Sequence, residues 1–177
     1  MKRGFDNFFG FWGGGEDYSS HISGGGFDFR NNDTVFRSAA GNYSTRLFSN
    51  RAVQIIEEHG ANSADTPLFM YLAYQATHSP LQAPQSYIDR CGKVLDHKRR
   101  VFCAMALCMD EGIANITAAL KRSGLYNNTV IFFTGDNGGQ VRAGGNNWPL
   151  RCVRPEWSGI FFSGTVSSQT FSSLHPS

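Results

Sequence analysis

Apolar positions recur along this chain with two different spacings. Over residues 44–59, Leu47, Phe48, Val53, Ile55 and Ile56 form a broad apolar face. Ser44 or Thr45 stands where a cap belongs and Gly60 where a stop belongs, so a helix is predicted. Over residues 97–122, Val101, Met105, Cys108, Met109, Ile113, Ile116 and Leu120 repeat at threes and fours. Asp96 precedes that stripe as a cap, Arg122 sits in its last turn and Gly124 just beyond, which predicts a second, longer helix. Two short continuous apolar runs lie outside these helices: Leu68-Phe69-Met70-Tyr71-Leu72-Ala73-Tyr74 after Pro67, and Thr129-Val130-Ile131-Phe132-Phe133-Thr134. Runs of that length and composition suit strands buried on both faces, as in parallel sheets. A short helical turn is predicted near 84–89. Residues 1–43 read as irregular loop with short strands, because Phe5, Phe8, Phe9, Phe11 and Trp12 need burial while glycine triplets interrupt any period.

Strand, helix, strand makes a βαβ unit of an α/β fold, right-handed with parallel strands. Both strands then end on one edge of the sheet, where ligand sites of open α/β sheets lie. Gln75-Ala76-Thr77-His78-Ser79-Pro80 follows the first strand and Gly135-Asp136-Asn137-Gly138-Gly139 the second. This topology brings His78 towards Asp136 and Asn137. A carboxylate beside an amide oxygen suits a hard cation such as calcium or magnesium. The same four residues also make an ordinary turn. Gly138-Gly139 would let the backbone pass close to a bound group. His78 is placed either to bind an anionic substrate and protonate a leaving group, or to cap loop backbone groups.

Composition narrows the classes. The 177 residues are 41% hydrophobic and 17% charged, which fits a folded globular chain. With 16 Lys plus Arg against 14 Asp plus Glu, the net charge of +2 is too balanced to suggest nucleic-acid binding through bulk electrostatics. The run His97-Lys98-Arg99-Arg100 reads as a solvated helix face. No apolar run approaches the roughly 18 residues of a membrane span. The first residues carry no uninterrupted apolar stretch of signal-peptide type.

Cys91, Cys103, Cys108 and Cys152 have no zinc-ligand spacing. Cys103 and Cys108 read as buried small hydrophobes, and Cys91 as a loop cysteine able to pair with a distant partner, inside or outside this chain. Four Asn-x-Ser/Thr acceptors, Asn32, Asn42, Asn115 and Asn127, fit either a glycosylated secretory protein or a mild excess over chance.

An ordered series of segments carries a resemblance. It runs through Arg3-Gly4-Phe5-Asp6 with Phe9-Gly10, Glu16-Asp17-Tyr18, and Pro67-Leu68-Phe69. It continues through Thr77-His78-Ser79-Pro80-Leu81-Gln82-Ala83-Pro84, Met109-Asp110-Glu111 and Asn115-Ile116-Thr117-Ala118-Ala119-Leu120. It ends with Asp136-Asn137-Gly138-Gly139-Gln140 and Ala143 to Arg151, covering about residues 3–151. This series resembles the type I sulfatases, and within them the arylsulfatase B group. The resemblance implies an alkaline-phosphatase-like sandwich with a mostly parallel central sheet and flanking helices. It implies hydrolysis of sulfate esters of glycans such as sulfated N-acetylgalactosamine, or of aryl sulfates, in a lysosomal or secreted enzyme. It also implies a calcium ion, with Asp136 and Asn137 as two ligands, and a formylglycine nucleophile. His78 would bind the sulfate group and assist the leaving oxygen.

The departures from the family are specific. No cysteine here stands in the Cys-x-Pro-x-Arg segment from which formylglycine is made. The two early calcium-site aspartates and the Gly-Lys-x-x-x-Gly-like stretch are also missing. Arg154 falls where the family has an active-site Lys, keeping a cation in a different shape. Residues 1–151 are therefore expected to be an internal part of a catalytic domain. Residues 152–177 are expected to be a divergent, poorly ordered tail of the kind that altered splicing, a frameshift or read-through produces. Without a nucleophile this polypeptide is expected to be inactive. The alternative expectation is a non-catalytic protein that holds sulfated glycans through His78, Arg142 and Arg154.

Overall fold

The longest element, α3 (His97–Arg122), is held at both ends by the residues that predict it. A computed structural model describes residues 4–147. At the N-terminus the Asp96 carboxylate accepts from the Arg99 amide at 2.8 Å. At the C-terminus Gly124 takes a left-handed φ of 71°. There Leu125 N donates to Leu120 O and Gly124 N to Lys121 O, closing a Schellman turn. Met105, Cys108, Ala119 and Leu120 are among the residues that α3 buries. Among the described residues α3 is the one helix long and apolar enough to cross a bilayer. Its stripe packs on α1 (Ser44–Asn62) and α2 (Gln85–Arg90).

The chain divides into two compact units, residues 1–128 and 129–177. In the first, five two-residue strands precede α1: β1 (Phe9–Gly10), β2 (Ile22–Ser23), β3 (Gly26–Phe27), β4 (Arg30–Asn31) and β5 (Thr34–Val35). They form an antiparallel sheet ordered β1-β4-β5 and a separate β2-β3 hairpin. Phe29, fully buried, joins Phe9, Phe36 and Phe48 beneath them, so the aromatic residues of the glycine-rich region do form a core.

α1 begins at Ser44, one residue after the capping position, which Tyr43 fills without a side-chain cap. Neither predicted cap residue serves, and the buried Ser44 hydroxyl has no partner. Gly60 does not stop α1, which continues to Asn62. A Cβ on Gly60 would lie 2.7 Å from Ser123 Cβ, so glycine is needed for close approach to the end of α3. Gly112 serves the same purpose mid-helix: a Cβ there would clash with the Ser49 hydroxyl and lie 3.1 Å from the Tyr74 hydroxyl.

The two predicted sheet strands differ from expectation. Residues 68–74 and 129–134 belong to no helix and no ladder among the described residues. In the first, alternation decides burial. Met70, Leu72 and Tyr74 pack onto the helix and phenylalanine clusters. Phe69 and Tyr71 on the opposite face are 78% and 75% exposed. An extended chain presents alternate side chains to opposite faces, and helices cover only one face here. In the second, Val130 to Phe133 are all exposed. The described pairings are therefore antiparallel, and the parallel βαβ pairing is not among them.

Candidate active-site loop

The loop carrying His78 is fixed from below by Tyr18. The buried Tyr18 hydroxyl lies 3.0 Å from the Gln75 carbonyl and 2.9 Å from the His78 carbonyl, and shares its proton between them. Burial pushes the Tyr18 phenol well above its ordinary range, so it remains a donor. Tyr18 N donates to Gln82 Oε1 at 3.0 Å, and Gln82 Nε2 donates to Asp17 Oδ2 at 2.6 Å. The Asp17 carboxyl is held well below its ordinary value, first by the Ser20 amide and then by Gln82. Tyr43, stacked on Tyr18 at 5.2 Å, donates its hydroxyl to Gln82 O. Residues 16–21 thus clamp the loop from Gln75 to Gln82.

His78 itself is exposed. Its Nδ1 donates to Ser79 O at 2.7 Å, because a carbonyl can only accept. The ring therefore presents Nε2 outward, on a backbone that Tyr18 immobilises.

Beside the clamp lies a pair that periodicity and spacing did not single out. Glu16 and His21 have fully buried side chains, with Nδ1 and Oε1 2.7 Å apart. His21 Nε2 lies 3.0 Å from both Ala39 O and Asn42 O. Nε2 faces two carbonyl oxygens, which only accept, so that nitrogen carries a proton. Burial opposes a charged ring, but the Glu16 hydrogen bond and carboxylate, with the two carbonyls, raise the His21 pKa above 6.5. Burial raises Glu16 as well, partly offset by His21. Gln75 Nε2 donates to Glu16 O at 2.5 Å, joining the pair to the clamp. The visible sequence signal is a carboxylate and an imidazole five residues apart inside an aromatic-rich stretch.

Asp136 and Asn137 lie in the second unit, adjacent and exposed. Asn137 Nδ2 donates to Gly138 O at 3.0 Å. Gly139 makes its close approach to its own chain, since a Cβ there would meet Gly145 and Asn147. Gly139 N donates to Asn147 Oδ1 at 2.9 Å. Arg142 is exposed in the turn Val141–Ala143. Arg154 and the predicted tail lie outside the described residues.

Cys91 pairs with Cys103, with Cα atoms 6.2 Å apart. The partner is inside the chain, and Cys103 is not the free hydrophobe expected. Cys108 is buried and free, and burial raises its thiol pKa. Asn115 is exposed on α3, Asn127 and Asn42 are exposed, and Asn32 is half-buried with Oδ1 accepting from Phe8 N at 2.9 Å.

The Sulfatase family profile matches residues 1–160. The chain belongs to the sulfatase family. Arylsulfatase J of Mus musculus is 47% identical over 176 residues, 96% of this chain and 28% of that protein. N-acetylgalactosamine-6-sulfatase of Mus musculus is 28% identical over 144 residues, 71% of this chain and 26% of that protein. The crystal structure of Ps i-CgsB in complex with k-i-k-neocarrahexaose superposes with a TM-score of 0.78 at 30% identity, covering 86% of this chain and 36% of that one. This sulfatase chain therefore has the fold of part of an alkaline-phosphatase-like α/β domain. It spans 26–28% of the length of the two mouse relatives.

For this sulfatase, calcium can be tested against the donors present. Asp136 and Asn137 offer oxygen ligands of the right kind. Their three side-chain oxygens fall short of the six to eight that calcium takes. Among the described residues no cluster of three His, Cys, Asp or Glu could hold a metal. The donors fit in chemistry and not in number.

Proposed function

We propose that this chain is part of the catalytic domain of a sulfuric ester hydrolase of arylsulfatase type. The observation that carries the proposal is the outward Nε2 of His78, oriented by the Nδ1 bond to Ser79 O on a loop clamped by Tyr18. Protonated, that nitrogen would bind an oxygen of a sulfate ester. It would then pass its proton to the ester oxygen as an oxygen nucleophile, which no described residue of this chain supplies, bonds to sulfur and the ester S–O bond breaks, so the alcohol leaves neutral. The substrate class is a sulfated glycan of the arylsulfatase B kind, or an aryl sulfate.

Asp136 and Asn137 would supply two of the oxygens around a calcium ion, which would neutralise sulfate charge when bound. The Cys91–Cys103 bond fits the oxidising surroundings of a lysosomal or secreted protein, as do acceptors at Asn32, Asn42, Asn115 and Asn127. Residues 1–151 form the catalytic-domain part, with 152–177 divergent and Arg154 at the position of the family Lys.

A second reading holds for the 177-residue polypeptide by itself: it binds sulfated ligands without turning them over. Cys108, the one free cysteine among the described residues, is buried, has a raised pKa and is followed by Met-Asp-Glu rather than x-Pro-x-Arg. A weakly ionised, inaccessible thiol cannot act as a nucleophile. Titrating the chain with an aryl sulfate while following the His78 imidazole signal in an NMR spectrum of its histidines separates the readings. A shift at His78 without product supports binding without turnover. Product above a no-protein control overturns the second reading, and absence of any His78 shift overturns the first.

A further inference from the structure

Phe9 and Phe11 pack into the phenylalanine core, yet Trp12 beside them is 60% exposed. A single exposed aromatic residue is ordinary. This one is held in place from several sides. The Trp12 and Gly13 amides donate to Asp28 Oδ2 at 3.2 and 2.7 Å. Ser23 Oγ donates to Gly15 O at 2.8 Å, tying the glycine triplet to the β2–β3 hairpin. The Arg30 guanidinium carbon lies over the indole, 3.7 Å from the ring centroid. Arg30 approaches Asp28 Oδ1 only to 3.7 Å, and its Nε has no hydrogen-bond partner. The guanidinium is therefore stacked on the indole rather than hydrogen-bonded to the carboxylate. The Arg30 side chain remains 21% exposed, so an anion can reach it. A Cβ on Gly14, Gly15, Gly24 or Gly25 would meet nothing within 4 Å, so open space adjoins the triplet and the hairpin turn.

We propose that Trp12 and Arg30 form a subsite for one sulfated sugar unit of a glycan, with the sugar ring on the indole and the sulfate taken by the guanidinium. The choice of ligand rests on the sulfate-ester reading above; the indole–guanidinium platform does not. A pyranose presents a patch of C–H groups that packs on a flat aromatic face, and burying that patch removes apolar surface from water. A guanidinium offers N–H donors in one plane, which suits oxyanions, and it is weakly hydrated for a cation. Together the two side chains ask for an apolar ring face and an anionic group on the same unit. The ties to Asp28 and Ser23 order the loop before binding, so little freedom is lost when the ligand arrives. Single-stranded nucleic acid also combines stackable rings with anions. It is the weaker candidate, because the Cys91–Cys103 bond suits compartments where nucleic acids are not the usual polyanion.

The test uses the full 177-residue chain and a fluorescent chondroitin sulfate oligosaccharide. Its desulfated form and a single-stranded DNA of matched charge serve as comparisons. Binding is read by anisotropy at about 0.15 M salt. The sulfated oligosaccharide should bind most tightly. Trp12→Ala and Arg30→Gln should each weaken its binding about tenfold. Lys121→Gln, which removes an exposed cation on α3, should bind as the parent does. A second readout needs no variant: N-bromosuccinimide oxidises exposed indoles, and saturating oligosaccharide should protect Trp12, as read by peptide mass spectrometry. Full-strength binding by Trp12→Ala, or equal oxidation of Trp12 with and without ligand, overturns the proposal. Desulfated oligosaccharide binding as tightly as the sulfated form overturns the role of Arg30, and DNA binding as tightly overturns the choice of ligand. These outcomes leave the hydrolase reading standing. That reading fails separately, through a His78 imidazole signal that an aryl sulfate does not move.

Discussion

The Tyr18 hydroxyl lies 2.9 Å from the carbonyl oxygen of His78, sixty residues further along the chain. That contact connects a loop near the N-terminus to the residue proposed to meet a sulfate ester. His78 is exposed, so its orientation depends on backbone held from beneath.

Replacing Tyr18→Phe removes the only hydroxyl in that contact and keeps the ring. Gln75 O would still accept from His78 N at 2.9 Å, so only one carbonyl loses its donor. The expected loss is about 1 kcal/mol of stability, from the lower end of the cost of an unsatisfied buried group. Binding of an aryl sulfate should weaken in parallel. Thermal melts and the His78 titration check both, and unchanged binding would remove Tyr18 from the positioning role.

The Glu16–His21 pair predicts a pH dependence with a definite sign. His21 is raised above 6.5 and Glu16 above 4.5, so the folded chain binds more protons than the unfolded one. Stability then falls as pH rises. The His21 contribution is fully present below its unfolded pKa and is lost as pH climbs through the raised folded value. The Asp17 carboxyl is held low instead, so its contribution is lost only as pH falls below its ordinary value of 3.8, outside the window set by His21. The chain should melt at a higher temperature near about pH 5.5 than near about pH 8. Glu16→Gln/His21→Gln should flatten that difference, and a chain more stable at the alkaline end would contradict the assignment.

Gly112→Ala tests the α1–α3 contact. The added Cβ would clash with Ser49, whose hydroxyl donates to Thr45 O and lies 2.8 Å from the Tyr74 hydroxyl. With its own proton committed, Ser49 accepts from Tyr74. Overpacking there should cost about 1–3 kcal/mol, read as a lowered denaturant midpoint. A midpoint equal to the parent's would show that the helices slide apart without penalty.

How much of this was legible beforehand depends on how local each signal is. The α3 boundaries follow from Asp96, Arg122 and Gly124, all within a turn of the helix ends. Gly60 misleads because its role is contact with Ser123, which no local rule encodes. The run from Leu68 to Tyr74 is legible as a non-helical run, but its burial is not. Which face is covered depends on α1 and α3, and ladder partners come from elsewhere in a sequence. His78 is legible because it stands in an ordered set of family segments. Its support by Tyr18 and the buried Glu16–His21 pair required the fold, since polar residues buried in an aromatic stretch leave no periodic trace. Cys91 was readable as a pairing cysteine without its partner being readable.

In the proposed function this chain forms the His78-bearing part of a sulfatase active site. The direct measurement is a chimera in which residues 3–147 replace the aligned stretch of mouse arylsulfatase J, the relative 47% identical to it. Hydrolysis of a fluorogenic aryl sulfate is then compared with the unmodified host. The account predicts turnover in the chimera and a loss of about a hundredfold or more with His78→Ala. A folded chimera whose hydrolysis is indifferent to His78→Ala would contradict it.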